Sequence, residues 1–115
     1  MGISTLSVRM QFEDQKVLGF ASIGPAYMGI GSAFENPPRL LWIINLTDAL
    51  LQFSTDGIHD KFPLPPGSNV LFDVTTNSPQ NLGCYFSIGD RIYVKEIGIP
   101  SSGNVYVSSL YGSTY

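Results

Sequence analysis

The sequence predicts an all-β protein folded as a single-domain, jelly-roll-like β-sandwich over residues 1–115. Three observations predict it. Apolar and polar residues alternate with period two in segment after segment. Clusters of Gly, Pro, Asn and Asp separate these segments about every 8–12 residues. No stretch of about 11 residues keeps a helical apolar period. Twelve Gly and eight Pro fit so many turns, and a 43% hydrophobic content with seven Phe, six Tyr and one Trp supplies a core. Charged residues reach only 13%, against about 25% in typical soluble domains.

The elements follow in order. Residues 3–12 place Leu6, Val8, Met10 and Phe12 on one side and Ser7, Arg9 and Gln11 on the other, a half-buried strand. Residues 1–16 are thus expected to form an N-terminal strand or arm that a neighbouring copy can exchange. Glu13-Asp14-Gln15-Lys16 reads as a polar turn, residues 17–23 as a strand, Gly24-Pro25 as a break, and residues 26–30 as its continuation. Gly29 and Gly31 mark a bulge or a close backbone approach. Asn36-Pro37-Pro38 ends that region, because two prolines do not fit inside a central strand.

Residues 39–46 carry Leu40, Trp42, Ile44 and Leu46 on one face and Leu41 and Ile43 on the other. Apolar residues on both faces predict a central strand covered twice, once by the opposite sheet and once by a neighbouring subunit. Trp42, the sole Trp, is expected in the core. Thr47-Asp48 turns into a strand at 49–54, and Thr55-Asp56-Gly57 is the strongest turn signal in the chain. Residues 58–64 read as an edge strand because of Pro63, and Pro65-Pro66-Gly67-Ser68 as a second strong turn. Strands are expected at 70–75, 82–87, 91–97 and 104–110, with a polar loop at 76–81. The total is eight to ten strands, without internal repeat or linker.

Charge and chemistry narrow the function. The net charge is −3, and the six basic residues, Arg9, Lys16, Arg39, Lys61, Arg91 and Lys95, are scattered. No nucleic-acid partner and no anionic membrane surface is expected without a basic patch. Residues 1–10 do not have the pattern of a signal peptide, and the longest apolar run, 40–44, falls far short of a membrane span. Cys84 is the only cysteine, so an intrachain disulfide is impossible, and it reads as a small core residue. Asp56, Asp60 and Asp73 offer carboxylates for calcium, but their spacing fits turn and strand-end hydrogen bonding better. His59 beside a hairpin turn reads as a surface residue, and Asn45-Leu46-Thr47 as the cap of the central strand. No catalytic residue, metal or cofactor is expected.

Tyr93, Tyr106, Tyr111 and Tyr115 alternate with Ser and Val near the end of the chain. Tyr-rich surfaces of low charge are common at protein interfaces. The residues expected at an interface are Leu41, Ile43, Tyr93, Tyr106 and Tyr111.

One further pattern bears on function. Asn45-Leu46-Thr47-Asp48 is followed by Ser54-Thr55-Asp56-Gly57-Ile58-His59-Asp60, Leu64-Pro65-Pro66-Gly67 and Asp73-Val74-Thr75-Thr76-Asn77. Then come Tyr93-Val94-Lys95 and Ser102-Gly103-Asn104-Val105-Tyr106-Val107-Ser108. This order, N-x-T-D, S-x-D-G-x-x-D, L-P-x-G, D-x-T-x-N, Y-V-K and S-G-x-V-Y-V-S, resembles small virion structural proteins of tailed bacteriophages. The resemblance implies a non-enzymatic role in particle assembly, through contacts with copies of itself and other virion proteins. It also implies a virion location after assembly in the host cytoplasm. The neck or tail is favoured over a capsid decoration or cement role. A receptor- or carbohydrate-binding module of the tail is the alternative, and a small β-scaffold hydrolase or isomerase a distant third.

Overall fold

The computed structural model describes residues 8–73 and 89–114. It is all-β, with two antiparallel sheets packed as a β-sandwich. Among the described residues there are nine strands: β1 (Val8–Phe12), β2 (Lys16–Gly19), β3 (Met28–Gly29), β4 (Pro38–Asn45), β5 (Leu51–Ser54), β6 (Phe62–Leu64), β7 (Asn69–Asp73), β8 (Tyr93–Glu96) and β9 (Asn104–Thr114). The expected residues 3–7, Val74, Thr75, the loop at 76–81, the strand at 82–87 with Cys84, and Tyr115 lie outside the described residues.

The larger sheet is organised around β9. Its first half pairs with β2 and its second half with β1, so both run along the same edge, interrupted by residues 13–15. On its other side β9 pairs with β4, and β4 pairs with β7. The smaller sheet runs β3-β8-β5-β6. Several expected strands are shorter than the periodicity suggested. A single 3-10 turn at Phe20–Ser22 cuts the 17–23 segment, and only Phe62–Leu64 of 58–64 pairs. Pro38 stands at the first position of β4, where its missing N–H costs least, and a register shift follows between Pro38 and Leu40.

The core lies between the sheets. Leu41, Ile43, Val105 and Val107 from the larger sheet face Leu51, Phe53, Leu64 and Val94 from the smaller one, and all are buried. Phe62 stacks on Phe53 at 5.4 Å between ring centroids and meets Phe72 edge-on at 5.3 Å, tying β6 to β7 across the sandwich. Removing one such buried apolar side chain costs about 2–5 kcal/mol.

Two polar devices hold the edges. Asn45, fully buried at the end of β4, donates through Nδ2 to the carbonyls of Ala49 (3.0 Å), Leu64 (2.9 Å) and Pro65 (3.2 Å). Its Oδ1 accepts from the Thr47 N–H at 2.9 Å and the Thr47 hydroxyl at 2.7 Å. One amide thereby joins the larger sheet to both ends of the β5–β6 hairpin. The second device is the Glu13–Lys16 ion pair at 3.2 Å, with both side chains more than nine-tenths buried. Lys16 was expected in a turn. Instead it opens β2, points inward opposite Val107, and holds its ammonium 5.3 Å from the Phe34 ring centroid. Gly103, at φ +93, permits the tightest turn: a Cβ there would collide with the Leu46 carbonyl and Thr47 Cα.

Candidate functional site

The side chains that point out from the larger sheet form the candidate site. Residues directly opposite on neighbouring strands share a face, so the register defines the surface. Phe12 lies opposite Leu110, and Leu110 opposite Leu40. Val17 lies opposite Tyr106, and Tyr106 opposite Ile44. Trp42 lies between Ser108 on β9 and Leu71 on β7. Leu41 and Ile43 are fully buried, so these alternate positions are the outward ones.

The result is an apolar surface that crosses all four strand columns. Phe12 is 70% exposed, Leu71 59%, Met10 and Val17 45% each, and Trp42 42%. Leu40, Ile44, Tyr106 and Leu110 lie between them, half-buried. The outward positions of β2 and β9 carry no charged side chain. Arg39, exposed at the β4 register shift, and Asp73, opposite Leu40 on β7, lie at one end of the surface. The polar atoms within it have partners inside the chain. Trp42 Nε1 donates to Asn69 Oδ1 at 3.1 Å, and Asn104 Nδ2 donates to the Tyr106 hydroxyl at 3.1 Å.

The outer side of the smaller sheet is built differently. Residues 55–61 fold over it from the end of β5. Gly57, at φ +76, lies against the Tyr93 ring; a Cβ there would press to 3.3 Å from it. Asp56 fixes this loop. Its Oδ1 accepts from the Ile58 N–H (2.8 Å), the His59 N–H (2.9 Å) and the Ser54 hydroxyl (2.7 Å), and its Oδ2 lies 2.8 Å from His59 Nδ1. The His59 ring and the N–H donors hold the Asp56 carboxyl far below the usual carboxylate range. Beside it, the Tyr27 hydroxyl donates to Asp60, and Lys95 Nζ lies 3.1 Å from Asp60 and 4.7 Å from the Tyr27 ring centroid. Tyr27 is pushed well above its ordinary value by burial and by the Asp60 carboxylate, and Asp60 is lowered by Tyr27 and Lys95.

Ser54, Asp56 and His59 form a hydrogen-bonded series, but its order decides its chemistry. Ser54 Oγ donates to Asp56, not to the imidazole, so His59 does not reach the hydroxyl it would have to deprotonate. The series orders a loop. Asp73 lies on β7 in the other sheet, so the structure does not bring Asp56, Asp60 and Asp73 together. Among the described residues no group of three or more His, Cys, Asp and Glu gathers at one point.

A polar cleft of about 240 Å³ lies beside the Glu13–Lys16 pair, lined in part by Ser32, Asn36 and Tyr111. Burial raises the Glu13 carboxyl, but the Glu35 N–H, Lys16 and Asn36 outweigh it, and the group lies below its ordinary value. No helix among the described residues is long and apolar enough to cross a membrane.

The expected interface residues divide. Leu41 and Ile43 face the chain's own core, which corrects their assignment: the inward set was taken for the outward one. Tyr93 lies under the 55–61 loop with the Arg91 guanidinium 5.7 Å from its ring. Tyr111 donates its hydroxyl to Gln11 Oε1 at 3.2 Å, near the cleft. Tyr106 alone of the five belongs to the apolar surface. Trp42, expected in the core, lies on that surface instead. Phe12, Met10, Val17 and Leu71 were missed. The signal for Trp42 was its grouping with Leu40 and Ile44 on one side of the central strand.

No family model matches the chain, and a search of the curated proteins finds no match.

Proposed function

We propose that this protein is a non-enzymatic structural component of a tailed-bacteriophage virion, acting through protein–protein contacts, with the neck or tail favoured over a capsid decoration role. The observation that carries the assembly part of the reading is the apolar outer surface of the larger sheet, centred on Trp42, with charge only at one end. Monomeric proteins rarely leave so wide an apolar surface open to water, and such surfaces mark interaction sites. The virion part rests on the ordered turn motifs from Asn45 to Ser108.

The carbohydrate-binding alternative draws less support. Sugar recognition needs an open aromatic ring with placed polar groups beside it. The Tyr27 ring is covered by Lys95 and Tyr93 lies under Gly57, while the open rings, Phe12 and Trp42, stand among apolar side chains and Trp42 Nε1 is already held by Asn69.

The test is recovery of the chain from particles. Phage particles produced with this chain present are banded by density and analysed by peptide mass spectrometry. The reading expects a fixed copy number per particle, and particles that form incompletely without the chain. Full recovery in the soluble fraction, with complete particles lacking the chain, would contradict it.

A further inference from the structure

We propose that the outer surface of the larger sheet pairs face to face with the same surface of a second copy, giving a closed two-fold dimer. This rests on the assembly reading and adds its partner and its surface.

The first argument is area. Five exposed apolar side chains and the half-buried ones between them offer on the order of 700 Å² per copy, close to the roughly 800 Å² per partner of a stable interface. The second is charge. Apart from Arg39 and Asp73, one of each sign at one end, the outward positions are uncharged, so two identical surfaces meet with little opposition of like charge. A partner selected by charge would find only Arg39 and Asp73, at one end of the surface. The net charge of −3 per copy is spread elsewhere and is screened over about 8 Å at physiological salt.

The third argument is polar satisfaction. Trp42 Nε1 and the Tyr106 hydroxyl already have partners within the chain, Asn69 and Asn104. Burying them leaves no unmet donor that a different protein would have to match. Surfaces of this apolar, self-satisfied kind are typical of contacts between identical subunits. Geometry agrees, because one antiparallel sheet stacks on another at about 10 Å with interdigitating side chains. An isologous contact also closes on itself, so this surface yields two copies and not a filament. The smaller sheets, with the Asp56, His59 and Asp60 loop, then face outward on both sides.

Trp42 is the only tryptophan and sits at the middle of the surface, so it reports on the contact directly. The experiment is light scattering of the full chain over a dilution series, with Trp42 emission and acrylamide quenching read on the same samples. The expected result is a mass of twice 12.5 kDa at high concentration. Trp42 emission shifts to the blue and quenching falls several-fold as the dimer forms. Leu71→Lys should raise the dissociation constant about 100-fold or more, as expected for a central contact, with an unchanged circular-dichroism spectrum. Gln52→Lys, on the outward side of the smaller sheet, should leave pairing intact.

Three results would overturn the pairing: a monomer at every concentration with Trp42 open to quencher, a dimer in which Trp42 stays open, or a monomer in which Trp42 is already protected. The assembly reading fails on a separate result, the absence of the chain from particles. A solution monomer that is nonetheless built into particles removes the second copy and keeps the reading.

Discussion

The two outer faces of the sandwich are opposites made from the same strand geometry. On the larger sheet the outward positions from Phe12 and Val17 across to Leu71 are mostly apolar, with polar residues such as Ser108, Asn69 and Asp73 among them or at their ends. On the smaller sheet the outward side carries Gln52 and Lys95, and residues 55–61 lie over Tyr93. Two of its carboxylates are engaged, Asp56 by its own loop and Asp60 by Tyr27 and Lys95. One face is finished within the chain and the other is not. A β-sheet needs one buried face to fold, and that face is supplied by the core. A second apolar face adds nothing to the fold of one copy, so its composition belongs to what the chain meets.

The comparison can be broken most severely at the edge of the apolar face. Lys16→Ala leaves Glu13 buried without its cation and loosens the corner that carries Phe12 and Val17. The expected cost is about 3–5 kcal/mol, measured by urea unfolding at neutral pH. Below the ordinary carboxylate range the loss should shrink, because Glu13 then takes up a proton.

The next effect is at the joint between the faces. Asn45→Ala strands the carbonyls of Ala49, Leu64 and Pro65 and the Thr47 donors. A loss of about 3 kcal/mol is expected, with the β5–β6 hairpin amides exchanging faster than those of β9. Equal acceleration in both sheets would mean that Asn45 does not act as a local joint.

How much of this was legible in the sequence follows from what alternation can report. Period two divided the 39–46 strand correctly into two sets, Leu40, Trp42, Ile44 and Leu46 against Leu41 and Ile43. It could not say which set meets the opposite sheet, because both are apolar. Only the packing of β5 and β8 decides that. Turn chemistry was more informative. Asp56-Gly57 and the Pro65–Ser68 turn stand where expected, and Asn45 does cap its strand. Lys16 was misread because a lysine inside a sheet is unusual by composition. Its burial depends on Glu13 and Phe34, the second of which is eighteen residues away in the chain. Met28–Gly29 and Phe62–Leu64 fall inside the expected 26–30 and 58–64 segments, but how few residues pair is set by their partners β8 and β5, which alternation does not report.

A gentler substitution sharpens the contrast. Phe12→Ser removes a side chain that touches mainly solvent, so the stability of a single copy should change by no more than about 0.5 kcal/mol. Self-association, measured by sedimentation, should weaken clearly. A large loss of stability at low concentration would show that Phe12 serves the fold instead.

The smallest effect is local and belongs to the polar face. Asp48, Asp56 and Asp60 all lie below their ordinary values: Ser101 lowers Asp48, His59 lowers Asp56, and Tyr27 lowers Asp60. A carboxyl depressed in the folded state contributes stability above its unfolded value near 4, and that contribution is lost as pH falls through the folded one. Acidification from about pH 5 toward pH 2 should therefore lower the protection of the Ile58 and His59 amides, measured against the intrinsic exchange rate at each pH. Trp42 emission should stay constant over the same range.

Hydroxyl-radical footprinting of both faces in one sample tests the central claim most directly. The full chain is labelled dilute and concentrated, and oxidation is read at Met10, Phe12, Trp42 and Leu71 on one side and at Tyr27 and His59 on the other. Concentration should protect the first group several-fold and leave the second unchanged. Equal labelling of the first group at both concentrations, or protection confined to Tyr27 and His59, would contradict an interface on the larger sheet.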